Sequence, residues 1–97
     1  MTCYVVALLR ITERDQYDRY SSGFLSLFER SKGVRILAAD EHPAIFEGDW
    51  DDRKIVILEF ADDAAYENFM LSEDYERISA YRRAGTEGVM LVARGLG

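Results

Sequence analysis

Arg53-Lys54-Ile55-Val56-Ile57-Leu58-Glu59-Phe60 is the stretch on which the fold turns. It is a strand-length run of β-branched and aliphatic residues, closed off upstream by the break Glu47-Gly48-Asp49-Trp50. Side chains alternate along a strand, so Glu59 shares a face with Ile55 and Ile57. A carboxylate therefore projects from an apolar surface, with a large aromatic, Trp50, close by in sequence. That combination suggests a pocket or an interface.

Working outward, Thr2 to Ile11 reads as a first strand with Tyr4, Val6 and Leu8 on one face. Cys3, Val5, Ala7, Leu9 and Ile11 lie on the other. Both faces are apolar, so each needs a cover. Thr12 and Asp15 form a capping pair for a helix over residues 13–31. Its inward stripe is Tyr17, Tyr20, Phe24, Leu27 and Phe28, and Gly33 is its stop signal. Residues 34–48 read as one long strand broken at Asp40-Glu41-His42-Pro43, or as two short ones, because proline cannot donate to a ladder. The strand 53–61 follows. Asp62 or Asp63 then caps a short helix through Leu71, with Ala65 and Phe69 inward. Ser72 caps another, in which Tyr75, Ile78 and Arg82 share a face, and Gly85 ends it. Val89 to Ala93 is the last strand.

The order β-α-β-β-α-β, with its second helix split, predicts an α+β ferredoxin-like sandwich: a four-stranded antiparallel sheet with helices on one face. The other face keeps apolar side chains from every strand. Pairing two such faces about a two-fold axis is the simplest cover, which predicts a homodimer.

Composition narrows the class. Ninety-seven residues make a single domain, 1–97, and 48% hydrophobic with 31% charged residues is the composition of a soluble globular chain. No apolar run is long enough for a membrane helix, and no signal segment is visible, so a cytoplasmic location is expected with no membrane partner. Cys3 is the only cysteine, which excludes an internal disulfide and reads best as a small buried hydrophobe. A net charge of −6 without a basic stripe speaks against nucleic acid.

The residues Glu47-Gly48-Asp49-Trp50, Ile57-Leu58-Glu59-Phe60 and Ser72-Glu73-Asp74-Tyr75, with Arg82 downstream, make the chain resemble the DUF1330 family. The resemblance runs from Tyr4-Val5-Val6-Ala7 to Val92-Ala93-Arg94-Gly95. It implies a small bacterial protein with the dimeric α+β barrel fold, related in shape to antibiotic-biosynthesis monooxygenases and EthD-like proteins. The family has no established general activity. Where relatives have small residues or glycine in the second strand, this chain has Asp40-Glu41-His42-Pro43.

Glu59 and Arg82 are the candidates for chemistry. A desolvated carboxylate on an apolar face has a raised pKa and can move a proton, and a guanidinium fork can hold an anion. The competing reading makes the two a structural ion pair, or gives Glu59 an arginine across the dimer. Tyr4, Trp50 and Tyr75 are candidate ligand contacts, with core or interface packing as the alternative. His42 reads as a solvated turn residue, and the acidic cluster Asp49, Asp51 and Asp52 lacks the spacing of a dedicated Ca²⁺ site. No metal or cofactor motif is present: there is no metal-ligand spacing and no glycine-rich nucleotide loop. Two functions stay open. One is a small-molecule-binding homodimer that works as a cofactor-independent enzyme on a small apolar or aromatic compound. The other is a non-catalytic structural or stress-related accessory dimer.

Overall fold

Side chains of the first strand alternate between a covered and an uncovered side of the sheet. In the computed structural model, which describes residues 1–97, β1 (Cys3–Ile11) buries Cys3, Val5, Ala7 and Leu9. Tyr4, Val6 and Leu8, only partly buried, face the opposite way. The chain continues through α1 (Arg14–Glu29), β2 (Val34–Asp40), β3 (Lys54–Phe60), α2 (Asp63–Met70), α3 (Glu73–Gly85) and β4 (Thr86–Arg94). The strands lie in the order β2-β3-β1-β4, every neighbour antiparallel. This is the α+β ferredoxin-like arrangement that the element order implies.

The core fills the space between the sheet and the helices. Phe60 and Phe69 are almost completely buried, and their rings meet 5.7 Å apart, with Tyr66 edge-on to Phe60. From α1, Tyr17, Tyr20 and Leu27 are buried, with Phe24 and Phe28 packed against them. The predicted stripe is therefore the packed one. The helices α1 and α3 approach closely because glycine stands at the crossing. A Cβ on Gly23 would lie 2.6 Å from Ile78 Cγ2, and one on Gly85 would lie 2.7 Å from the Tyr17 amide nitrogen.

Capping departs from the sequence reading at one helix and follows it at two. Asp62 accepts a bond from the Ala65 amide at 2.8 Å, and Ser72 from the Tyr75 amide at 3.0 Å. At the start of α1 the expected Thr12–Asp15 pair is absent. Glu13 is the cap residue and makes no side-chain bond. The chain there is held by the Gly85 carbonyl, which accepts from the Thr12 and Glu13 amides at 2.8 and 3.2 Å. A tertiary contact replaces the local one. The helix also ends at Glu29 rather than residue 31, and Gly33, with φ +75°, turns the chain into β2.

Two strands differ in length from expectation. The second strand stops at Asp40, so residues 44–47 are not part of it. Asp40 pairs with Ile55, and β3 begins one residue before that, leaving nothing for residues 44–47 to pair with. They belong to the irregular loop 41–53, in which Phe46 is fully exposed. The last strand is longer than predicted. It pairs with β1 from Ile11↔Thr86 to Cys3↔Arg94, and this ladder extends it through the weak strand formers Thr86, Glu87 and Gly88.

The second face of the sheet has no helix on it. Val6 and Ile57 are register partners in its middle, flanked by Leu8 and Ile55. From β4, Val89 and Leu91 join them and are 45% and 55% exposed. This apolar open face carries ion pairs only towards its ends, Arg35–Glu59 at one and Arg10–Glu87 at the other.

Candidate functional site

Between the covered face of the sheet and α1 lies a cavity of about 250 Å³. Val5, Ala7 and Leu58 form its floor, and Tyr17, Tyr20 and Phe24 its roof. Twelve of its 14 lining residues are hydrophobic, so it suits an apolar molecule. The lining residues with polar side-chain groups are few: Tyr17, Tyr20, Ser21 and Lys54. No carboxylate, histidine or cysteine lines it.

Tyr20 is fixed from several sides. Its hydroxyl meets that of Tyr75 at 2.9 Å, and its ring packs against Tyr17, Phe24 and Tyr75 at centroid distances of 5.9–6.2 Å. The Arg82 guanidinium carbon sits 6.0 Å from the ring centroid. Burial, then the neighbouring Tyr75 hydroxyl, pushes the Tyr20 phenol far above its ordinary range. Tyr20 is thus a neutral hydrogen-bonding group in the wall. Arg82 keeps its Nε buried with no hydrogen-bond partner.

The five residues singled out by sequence divide into separate places. Tyr75 and Arg82 stand behind Tyr20, one residue removed from the cavity. Glu59 and Tyr4 face each other across β1 and β3 on the open face, and the Tyr4 hydroxyl donates to Glu59 Oε2 at 3.2 Å. Trp50 stands apart in the loop 41–53, 36% exposed, and does not line the cavity. Glu59 and Arg82 do not form the ion pair considered from sequence. The partner of Glu59 is Arg35, whose Nη1 lies 3.1 Å from Oε1. The reason is register: Arg35 pairs with Glu59 on the open face, whereas Arg82 belongs to a helix on the covered face. Loss of hydration, then the bond to Glu59, raises the Tyr4 phenol above its ordinary range.

A polar cleft of about 330 Å³ adjoins the cavity, sharing Leu9 and Lys54 with it. Its acids are matched to bases. Arg14 grips Glu41 through two bonds of 2.7 and 3.1 Å, which holds the Glu41 carboxyl below its usual range. Asp51 Oδ2 lies between Arg10 at 2.7 Å and Arg53 at 2.9 Å. His42 Nδ1 lies 3.2 Å from Asp52, and the imidazole is largely exposed, as a turn histidine should be. Nowhere do three or more His, Cys, Asp or Glu side chains converge in a metal-holding group. Cys3 is buried, and its thiol is pushed up by that burial.

Sequence reasoning placed Tyr17 and Tyr20 on the packed stripe without seeing that they roof a cavity. It passed over Lys54. The signal was available in parity, since Lys54 is the one charged residue on the face shared by Val56, Leu58 and Phe60.

The profile of the domain of unknown function DUF1330 matches residues 2–96. The chain belongs to the DUF1330 family. No curated protein matches it in sequence. Among solved structures it is similar to RPA0582, a protein of unknown function from Rhodopseudomonas palustris, with 18% identity and a TM-score of 0.76. That match covers 99% of this chain and 83% of the other. SnoaB, a cofactor-independent oxygenase from Streptomyces nogalater, aligns with 13% identity and a TM-score of 0.67 over 99% and 94% of the two chains. A dimeric ferredoxin-like protein of unknown function from Jannaschia sp. CCS1 aligns with 17% identity and a TM-score of 0.64 over 96% of each chain. At these identities the likeness is one of fold. No helix of this family member is long and apolar enough to cross a membrane.

Proposed function

We propose that the protein is a small-molecule-binding homodimer whose ligand, a small apolar or aromatic compound, occupies the cavity between the sheet and α1. The observation that carries this reading is the cavity itself: about 250 Å³, almost wholly apolar, with Tyr17, Tyr20, Ser21 and Lys54 as the lining residues that bear polar groups. Val6, Ile57, Val89 and Leu91 supply the apolar surface for two-fold pairing of open faces, and the dimeric Jannaschia protein is a precedent in the same fold. In the dimer, Glu59, Tyr4 and Arg35 form a polar group at the margin of that interface. Their position favours a structural role over proton transfer to a ligand on the far side of the sheet.

A catalytic reading has one support of its own. The Tyr20 ring lines the cavity, and the Arg82 guanidinium behind it would put positive potential near negative charge developing on a bound molecule. SnoaB, a cofactor-independent oxygenase, has the same fold, which is analogy only. Without a carboxylate or imidazole at the cavity wall, binding is the stronger conclusion.

Native mass spectrometry of the purified protein tests both parts together. A dimer carrying one small molecule per protomer is the expected result. A monomer would remove the case for paired open faces, and a dimer that takes up no apolar compound on titration would remove the case for the cavity.

A further inference from the structure

The cations around the polar cleft are not equivalent. Arg10 and Arg14 are engaged with Asp51 and Glu41, at 2.7 Å in each case. His42 is engaged with Asp52 at 3.2 Å. Lys54 has no carboxylate within salt-bridge distance, and its Nζ sits 4.8 Å from the centroid of the Tyr17 ring. It also has an unusual address. Lys54 pairs with Leu9 at the end of β3 and lines both the apolar cavity and the cleft. One unpaired ammonium therefore stands where an apolar chamber meets water.

A lysine on the covered side of a sheet needs a reason. Its methylenes bury well along apolar walls, but its head could reach water as easily from a neighbouring position on the open face. Resting over the Tyr17 ring keeps the ammonium at the mouth of the chamber. A bound anion would give it the charge partner it lacks. Resting on the proposed reading of the cavity, we infer that Lys54 anchors the ligand's charged end, and that the ligand is a small aryl or alkyl carboxylate. Its apolar body lies under Tyr20 and Phe24, and its carboxylate lies beside Lys54 and Tyr17. Charge count selects a monoanion. A single ammonium is available, since the other cations around the cleft are already engaged with Glu41, Asp51 and Asp52.

The test compares acids with their neutral isosteres: benzoate with benzamide, and 2-naphthoate with 2-naphthamide. Amide-resolved NMR titration of the purified protein gives both affinity and location. The expected result is that a carboxylate binds at least about ten-fold more tightly than its amide, with shifts centred on residues of β3 and α1. Lys54→Met should abolish the preference of acid over amide, and Lys54→Arg should retain it. Equal affinity of acid and amide for the native protein would overturn the role of Lys54 and leave the cavity reading standing. A preference that survives Lys54→Met would do the same. Failure of all four compounds to bind would overturn the cavity reading, and this inference with it.

Discussion

The Tyr20 and Tyr75 hydroxyls meet 2.9 Å apart inside the core, tying α1 to α3 by a hydrogen bond that each buried phenol needs. Either oxygen can donate, so the pair is self-sufficient, and both rings keep their packing against Phe24 and Phe69. Removing one hydroxyl leaves the other buried with no partner. Tyr75→Phe should therefore lower unfolding stability by about 1–3 kcal/mol, and Tyr20→Phe by a similar amount. The double variant should cost less than the sum of the two. Urea denaturation of the three variants checks this, and strict additivity would show that the bond contributes nothing as a pair.

The same pair governs the alkaline side. Burial and Tyr75 raise the folded-state pKa of Tyr20 above its unfolded value of about 10. The stabilisation linked to this group is complete below that value. It declines as pH rises further, because the unfolded chain releases a proton that the folded chain keeps. Stability measured from pH 9 upward, to about pH 11, should fall less steeply in Tyr20→Phe than in the native protein.

On the acid side, Glu41 is held below its usual range first by its bonds to Arg14, and Asp74 first by Arg77 and then by Arg30. A lowered folded-state pKa gives stability that is present above the unfolded value and is lost as pH falls through the folded one. These groups face solvent, so the effect is small. Glu41→Gln should make the decline in stability below the ordinary glutamate range shallower, as read by urea midpoints at successive pH values.

Leu91 offers the direct test of the open face, since it is 55% exposed and pairs with Val6 at the centre of that surface. In the proposed dimer, Leu91→Asp would place two unpaired carboxylates in the two-fold interface, at a cost of several kcal/mol. Light scattering coupled to size exclusion should show half the native mass with unchanged circular dichroism. An unchanged mass would move the interface elsewhere.

Ala39 lines the cavity at the edge strand β2 and is exposed. Ala39→Trp should obstruct entry and weaken binding of 2-naphthamide by about ten-fold or more, while shifting the thermal midpoint little. Calorimetric titration beside a thermal melt separates the two effects.

The fold was readable from residue patterns because its signals are local. The β-branched and aromatic run of residues 2–11, the spacing of Tyr17, Tyr20, Phe24 and Leu27, and the caps Asp62 and Ser72 each mark an element without help from its neighbours. The exceptions depend on distant partners. Gly85 holds the entry to α1, and β1 draws β4 out to Thr86. The site was less legible for the same reason. Parity placed Glu59 on an apolar face correctly, but nothing in one strand tells which face the helices cover, and Glu59 is on the uncovered one. Arg82 did lie inward, yet its neighbour is the Tyr20 ring rather than a carboxylate. The cavity is made by the spacing between α1 and the sheet, a quantity that no residue spacing encodes.

Alternation along β3 also has an evolutionary meaning. Ile55, Ile57 and Glu59 face outward, while Lys54, Val56 and Leu58 face the cavity. Substitutions at odd positions alter what the sheet meets outside, and those at even positions alter what the chamber accepts. On the proposed reading, two duplicated copies could thus diverge in companion while keeping their cargo, or change cargo while keeping their companion. An insertion or deletion of one residue within β3 would exchange the two inheritances at once.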